Sequence, residues 1–121
     1  MIAMKPVFLV MIVTHSADIK DAYMRALIPL IPETMELDLV WCRCGKRALM
    51  NLLDQRIGKD EGKHDLTYDL ILAVDAMEIT GVGTSMNAMG LDPANLRIVP
   101  PEKISEIATI LGALLPSRSA A

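Results

Sequence analysis

The hydrophobic pattern divides the chain into short apolar runs and amphipathic stretches that alternate along its length. Residues 7–13 form a continuous run of Val, Phe, Leu, Met and Ile, which is typical of a parallel strand covered on both faces. The apolar residues that follow recur at helical spacing, and they predict a helix capped by Asp18 and bent or ended by Pro29 and Pro32. The apolar face of this predicted helix consists of Ile19, Ala22, Tyr23, Ala26, Leu27 and Leu30.

The next segments predict a second strand and a second helix. Apolar and acidic residues alternate over residues 35–41, which indicates a strand with one face partly exposed to water. Cys42–Gly45 follows as a turn, and Lys46–Leu53 predicts a short helix. The polar stretch Arg56–Asp65 predicts a solvated loop, or a lid over a neighbouring site.

The segment Leu66–Met77 fits two structures. Leu70–Val74 reads as a buried strand, yet the apolar residues of the whole segment also fall on one face of a helix, and periodicity does not decide between them. Beyond it, the pattern predicts a strand over Glu78–Val82, a helix over Ser85–Met89 and a strand over Leu96–Val99.

The end of the chain predicts a last helix. Pro100 and Pro101 open it, Pro116 ends it, and residues 117–121 then form a frayed tail. Its predicted apolar face is Ile104, Ile107, Ala108, Leu111 and Leu115. Strands that alternate with helices predict an α/β fold, a three-layer α/β/α sandwich with a mostly parallel sheet of four or five strands, formed by a single domain over residues 1–116.

Composition narrows the functional classes. The 121 residues carry a net charge of −3, which gives no broad attraction for nucleic acid or for an anionic membrane. Hydrophobic residues make up 52% of the chain, nine of them are methionines, and the mean hydropathy is +0.36. Without an apolar run long enough to cross a membrane, this composition predicts a homo-oligomer that covers apolar surface between its copies.

The N-terminal residues and the cysteines predict a cytoplasmic protein. Pro6 interrupts the apolar run of Met1–Val13 and no small-residue cleavage site follows, so this run does not predict a signal peptide. Cys42 and Cys44 are too close in sequence for an ordinary structural disulfide with each other, and reduced thiols are typical of the cytoplasm.

The predicted fold brings three segments together at one edge of the sheet. Ligands of parallel α/β folds gather at the carboxyl ends of the strands. His15-Ser16 follows the first strand, Cys42–Cys44 follows the second, and Gly83-Thr84-Ser85 follows a later one. We therefore expect His15, Ser16, Gly83, Thr84 and Ser85 to form a ligand site.

The stretch Gly81–Leu91 is the most informative part of this predicted site. Its glycines allow the backbone to approach a ligand, Thr84 or Ser85 can cap the following helix, and the first amides of that helix can hold an anion. It lacks the lysine of a P-loop and the third glycine of a dinucleotide fingerprint, so no nucleotide cofactor is predicted. The alternative is a tight turn that only packs helix against strand.

Four features follow one another along the chain: Ile12-Val13-Thr14-His15 ahead of a helix, a strand ending at Trp41, a polar connection and the Gly81–Leu91 stretch. In this order they resemble the DsrE/DsrF-like family, which includes sulfur-relay subunits of the TusD type and small relatives of unknown role. The resemblance implies an α/β/α domain that assembles into trimers or hexamers, a sulfur-relay protein as partner, and a helix over Leu66–Met77. Catalytic members carry a persulfide on a cysteine directly before the Gly-Thr-Ser turn, where this chain has Val82.

That departure decides the predicted function. Valine can neither ionise nor hold sulfur, so transfer through position 82 is excluded. A second departure is the C-terminus, where the family closes with another strand and this chain keeps helical spacing over Ile104–Leu115. The expected function is therefore a DsrE-like, oligomeric binding protein that takes a partner or a small anionic or sulfur-containing ligand at the strand ends. Catalysis is not favoured, and an enzymatic activity would be expected to resemble that of a sulfurtransferase.

Cys42 and Cys44 offer an alternative, a thiol-dependent sulfur carrier or redox protein. Two residues apart on an extended segment, they are expected to point the same way, and Arg43, Lys46 and Arg47 are expected to favour their thiolates. The other interpretation is purely structural, with both cysteines serving as small buried hydrophobic residues. A metal site is disfavoured because the pair supplies only two ligands, and His15 or His64 would have to complete the set.

Two other groups of polar residues have simple structural interpretations. His15 with Ser16 or Ser85 suggests a hydrolase, but the G-x-S-x-G elbow is absent and no acidic third member is evident, so capping is the expected role. Asp75 and Glu78 are interpreted as surface charges.

Overall fold

Four parallel strands form a sheet in the order β2-β1-β3-β4, within the residues that the computed structural model describes, 6–48, 50–51, 68–74 and 96–119. The strands are β1 (Val7–Val13), β2 (Glu36–Cys42), β3 (Leu70–Ala73) and β4 (Leu96–Ile98). The α-helices are α1 (Ala17–Leu27), α2 (residues 45–48, 50 and 51) and α3 (Glu106–Ser119), and 3-10 turns lie at Ile28–Leu30 and Pro101–Lys103. The predicted α/β sandwich is therefore confirmed.

β1 is the centre of the molecule because its side chains alternate between two apolar layers. One layer contains Leu9, Met11 and Val13 of β1 with Ala48 of α2. The opposite layer contains Phe8, Val10 and Ile12, and it is covered by α1 and α3 through buried side chains. Those covering side chains are Tyr23, Leu27, Ile107 and Leu111. A strand buried on both faces must be apolar throughout, which is why residues 7–13 lack the usual polar alternation.

α1 is the predicted first helix, with one correction at its start. Asp18 is not the cap: the Ser16 hydroxyl accepts a hydrogen bond from the Ile19 amide at 3.3 Å, and Asp18 lies in the first turn. Serine fits because its short side chain reaches the free amides while its own backbone stays extended. The helix ends at Leu27, just before Pro29, which has no amide hydrogen to continue the ladder.

The segment that fitted two structures contains a strand. Leu70–Ala73 pairs in parallel with Val10–Val13 of β1, and all four residues are buried. The helix that the family resemblance favours is therefore wrong for residues 70–73. Asp69 extends the pairing by one position, since its carboxylate accepts from the Leu9 amide at 2.8 Å while its own amide donates to the Leu9 carbonyl at 2.8 Å.

The last helix differs from its prediction at both ends. Pro101 opens a 3-10 turn, and α3 begins only at Glu106. α3 then continues through Pro116 to Ser119, because a proline in the last turn removes one ladder bond without stopping the residues beyond it. Ala108 is exposed instead of inward-facing.

Several predicted elements lie outside the described residues. These are the loop Arg56–Asp65, the strand Glu78–Val82 and the helix Ser85–Met89. No helix of the described residues is long and apolar enough to span a bilayer.

Candidate functional site

The strand order places the carboxyl end of β1 at the point where the sheet changes direction. The chain passes from β1 to β2 on one side over the layer containing α1, and reaches β3 on the other side of β1 by way of α2 on the opposite layer. In a sheet of this order the crevice lies between the carboxyl ends of β1 and β3, and ligands of this fold class bind at the carboxyl ends of the strands. His15 and Ser16 directly follow β1, as the sequence predicts.

The carboxyl ends of β1 and β2 are bound to each other. The Thr14 amide donates to the Cys42 carbonyl at 3.0 Å, and the indole nitrogen of Trp41 donates to the Thr14 carbonyl at 2.7 Å. Thr14 is buried, and its hydroxyl accepts from the Ser16 amide at 3.2 Å. The structure therefore brings together the first two of the three segments that the sequence predicts to meet.

Ser16 and His15 differ in what they offer a ligand. The Ser16 hydroxyl is the N-cap of α1, so it serves the helix, in agreement with the capping role predicted for it. His15 is exposed beside it. The start of α1 points toward the carboxyl end of the sheet, because a helix that connects parallel strands runs antiparallel to them.

Two cations lie against the Trp41 ring at this edge. The Lys20 ammonium nitrogen and the Arg43 guanidinium carbon are each 5.0 Å from the ring centroid, within the range of a cation–π interaction. Lys20 also pairs with Asp21 at 2.7 Å. A cavity of about 180 Å³ adjoins the ring and is lined by Ile12, Lys20, Met24, Leu39, Val40 and Trp41. The cation that lines the cavity, Lys20, is therefore balanced by Asp21, and the Arg43 guanidinium adds a second cation on the same ring.

The structure does not support the pair of thiolates that the sequence offers as an alternative. β2 ends at Cys42, so Cys44 lies beyond the strand, where its carbonyl accepts the Ala48 amide of α2 at 3.1 Å. Cys42 is buried, and burial, with a smaller effect from Cys44, raises the pKa of its thiol. The expected stabilisation of a Cys42 thiolate by neighbouring cations is therefore wrong. Cys44 is half-buried and free of a disulfide.

The remaining predicted site residues are not placed. Gly83, Thr84, Ser85 and the distinctive Val82 lie outside the described residues, as does His64. Among the residues that are described, no three His, Cys, Asp or Glu side chains are grouped as a metal site would require.

Sequence reasoning missed the cluster of Lys20, Trp41 and Arg43. The sequence pattern predicts Trp41 only as the end of a strand and Arg43 only as a cation near the thiols, and it assigns no role to Lys20. A usable signal was present, because an aromatic residue at a strand end followed two residues later by arginine places a cation near a ring at the ligand edge.

Comparison with known proteins gives no relatives for this chain. No family model matches it, and neither the curated proteins nor the solved structures include one with significant similarity. Functional inference therefore rests on the geometry above and on the residues themselves.

Proposed function

We propose that this chain is a DsrE-like, non-catalytic binding protein that takes a small anionic or sulfur-containing ligand, or a partner protein, at the carboxyl ends of β1 and β2. The observation that carries this proposal is the pair of cations, Lys20 and Arg43, held on the Trp41 ring beside the β1 end. A positive charge that is already ordered loses less side-chain entropy when an anion arrives. These cations lie at the carboxyl end of β2, next to that of β1, and ligands of parallel α/β folds bind at the carboxyl ends of strands.

The residues at position 82 and at the end of β2 favour a protein that binds its ligand without catalysing a reaction. Val82, in the place of the family's persulfide cysteine, cannot carry sulfur. The alternative, a sulfur carrier or redox protein that uses Cys42 and Cys44, has less support because the Cys42 thiol is buried and its pKa is raised. A neutral, enclosed thiol is a poor nucleophile.

Ligand titration with two defined anions tests the proposal. Thiosulfate and inorganic phosphate are titrated by calorimetry into the native protein and into the double variant Lys20→Gln, Arg43→Gln. Hydrogen bonds to charged groups contribute about 1.5–3 kcal/mol, so we expect at least a roughly tenfold loss of affinity in the double variant. Arg25→Gln is the matched control, since Arg25 lies in the last turn of α1, at the other end of the sheet. Failure of both anions to bind, or equal affinity for all three proteins, contradicts ligand binding at this site.

The proposal includes assembly of the chain with copies of itself, as a trimer or hexamer, and a cytoplasmic location. Three large apolar side chains that are about half exposed support the assembly: Ile28 at 56%, Met50 at 50% and Ile98 at 47%. Exposed apolar surface of this kind is costly in water and is commonly covered by a subunit interface. A sulfur-relay protein remains the proposed partner for the assembled form.

A further inference from the structure

Charge is distributed unevenly along β2 and its flanks. Glu33, Glu36 and Asp38 lie at the amino end, and Arg43, Lys46 and Arg47 lie at or beyond the carboxyl end. All six are exposed. Because the acidic and basic groups occupy opposite ends of one strand, this edge is complementary to a copy of itself that runs in the opposite direction.

β2 is also an open edge within the described part of the chain. It lies at one end of the strand order, with only β1 beside it. The Glu36 amide and the Cys42 carbonyl both bond toward β1, and backbone groups alternate sides along a strand. The amides and carbonyls of Leu37, Leu39 and Trp41 therefore face away from β1, ready to pair with another strand.

We propose that a second copy of this chain pairs with β2 in antiparallel orientation, about a two-fold axis that passes beside Val40. This inference rests on the assembly part of the proposed function, of which it keeps the hexamer and excludes the trimer, and it does not depend on the ligand. In this register Leu39 of each copy lies opposite Trp41 of the other, so their outward backbone groups bond in pairs. The apolar side chains of Leu39, Val40 and Trp41, half-buried in the single chain, become covered.

The charges fit this register on one face of the sheet. Val40 and Cys42 pack on the layer that contains Ala48 of α2, and the alternation of β2 places Glu36 and Asp38 on that same face. A cavity of about 380 Å³ opens there, lined by Val40, Trp41, Cys42, Arg43, Arg47, Met50 and Asn51. In this pairing Asp38 and Glu36 of the second copy lie opposite Cys42 and Cys44, at the end of the edge where Arg47 lines the cavity.

The proposed contact also restricts the assembly. An antiparallel strand pair is isologous, since each copy presents the same surface to the other. It is compatible with a dimer or with a hexamer that contains two-fold axes, and it is incompatible with a simple three-fold ring.

Charge reversal provides a decisive test. The variant Glu36→Lys, Asp38→Lys makes both ends of the edge basic, and the variant Lys46→Glu, Arg47→Glu makes both ends acidic. For each variant alone, analytical ultracentrifugation is expected to give a dimer dissociation constant at least tenfold higher than that of the native protein. An equimolar mixture of the two variants is expected to form heterodimers, because opposite charges again meet at both ends. Glu102→Lys and Arg25→Glu are control reversals of exposed residues on other elements. Equal association of all variants, or no recovery in the mixture, overturns the proposed pairing.

A crosslink tests the register independently of charge. In a Cys44→Ser background, Val40→Cys is expected to give a disulfide-linked dimer on mild oxidation, because residues at a non-hydrogen-bonded pair have Cα atoms about 4.5 Å apart. Leu39→Cys is the matched control, since its two copies are roughly 8 Å apart in this register, too far for a disulfide. Crosslinking of Leu39→Cys but not Val40→Cys, or of neither, contradicts the axis at Val40.

The outcomes also separate this interface from the ligand proposal. The variant Glu36→Lys, Asp38→Lys retains Lys20 and Arg43, so a titration of this variant with thiosulfate reports on the ligand site alone. A monomeric native chain that binds thiosulfate contradicts only the interface. A native dimer that binds neither thiosulfate nor phosphate contradicts only the proposed function.

Discussion

At the scale of single residues, burial separates two side chains that sequence spacing had grouped together. Cys42 is the last residue of β2 and is 5% exposed, whereas Cys44 lies two residues further on, outside the strand and half-buried. The desolvation of a thiolate in an apolar layer raises the pKa of Cys42, and this effect exceeds any attraction from the exposed arginines nearby. Identical residue types in a C-x-C pattern therefore have different chemistry.

The difference predicts selective thiol labelling. With iodoacetamide at pH 8, Cys44 is expected to react within the native protein, and Cys42 is expected to react mainly after unfolding in guanidinium chloride, because alkylation requires an accessible thiolate. Peptide mass spectrometry locates the label. Cys44→Ser is the control and should nearly abolish native labelling. Faster labelling of Cys42 than of Cys44, or added sulfur on Cys42 after treatment with a persulfide donor, would favour the sulfur-carrier alternative.

At the scale of elements, a hydrogen bond from the Tyr23 side chain connects α1 to the end of β4, the strand at the opposite edge of the sheet from β2. Tyr23 is fully buried, and its hydroxyl donates to the Val99 carbonyl just after β4. Burial, with a smaller contribution from Glu102, raises the pKa of Tyr23 to about 12. The phenol therefore stabilises the fold only while it is protonated.

This contact predicts a loss of stability in alkali. Because the pKa of Tyr23 is higher in the folded state than in the unfolded state, its contribution is complete below about pH 10. It is lost as the pH rises from about 10 to 12. Tyr23→Phe is expected to lower the free energy of unfolding by about 1 kcal/mol at pH 7. Urea unfolding followed by circular dichroism should also show a smaller further loss for this variant between pH 10 and 12. A loss as steep as that of the native protein would assign the alkaline transition to other groups, such as Tyr68.

The elements that the sequence predicted well are those in which one local pattern allows one structure. Val7–Val13 has the predicted bounds because an unbroken apolar run of β-branched and aliphatic residues fits a doubly covered strand. Leu70–Ala73 was ambiguous because four apolar residues satisfy both periods, and only its pairing with β1 decides. The spacing of Trp41 and Arg43 is a local signal, but the contact of Lys20 with the Trp41 ring is beyond sequence reasoning, since Lys20 is 21 positions away and meets the ring only through the packing of α1.

At the scale of the whole molecule, the central strand of the sheet is enclosed by protein, whereas one edge strand is open among the described residues. β1 has a strand on each side and an apolar layer on each face, whereas β2 has a strand on one side only among the described residues. Backbone amides that bond within the sheet exchange with solvent only when the sheet opens, and outward amides of an edge exchange readily. The outer edge of β2 is therefore the place where assembly should change protection most.

Hydrogen exchange at two protein concentrations tests whether the amides of β1 are better protected than the outward amides of β2, and whether a second copy changes the protection of β2. The amides of Val10 and Ile12 are expected to exchange slowly at every concentration, because their strand is internal. The amides of Leu39 and Trp41 are expected to exchange quickly at low concentration and to gain protection of at least tenfold when the dimer forms, since they then donate across the two-fold pairing. The Glu36→Lys, Asp38→Lys variant keeps the same edge without its charge match, so its Leu39 and Trp41 amides should remain unprotected at both concentrations. Complete protection of the Leu39 and Trp41 amides at concentrations where the native chain is monomeric would contradict the proposal. Another part of the same chain would then cover the edge, and a second copy would have no free strand with which to pair.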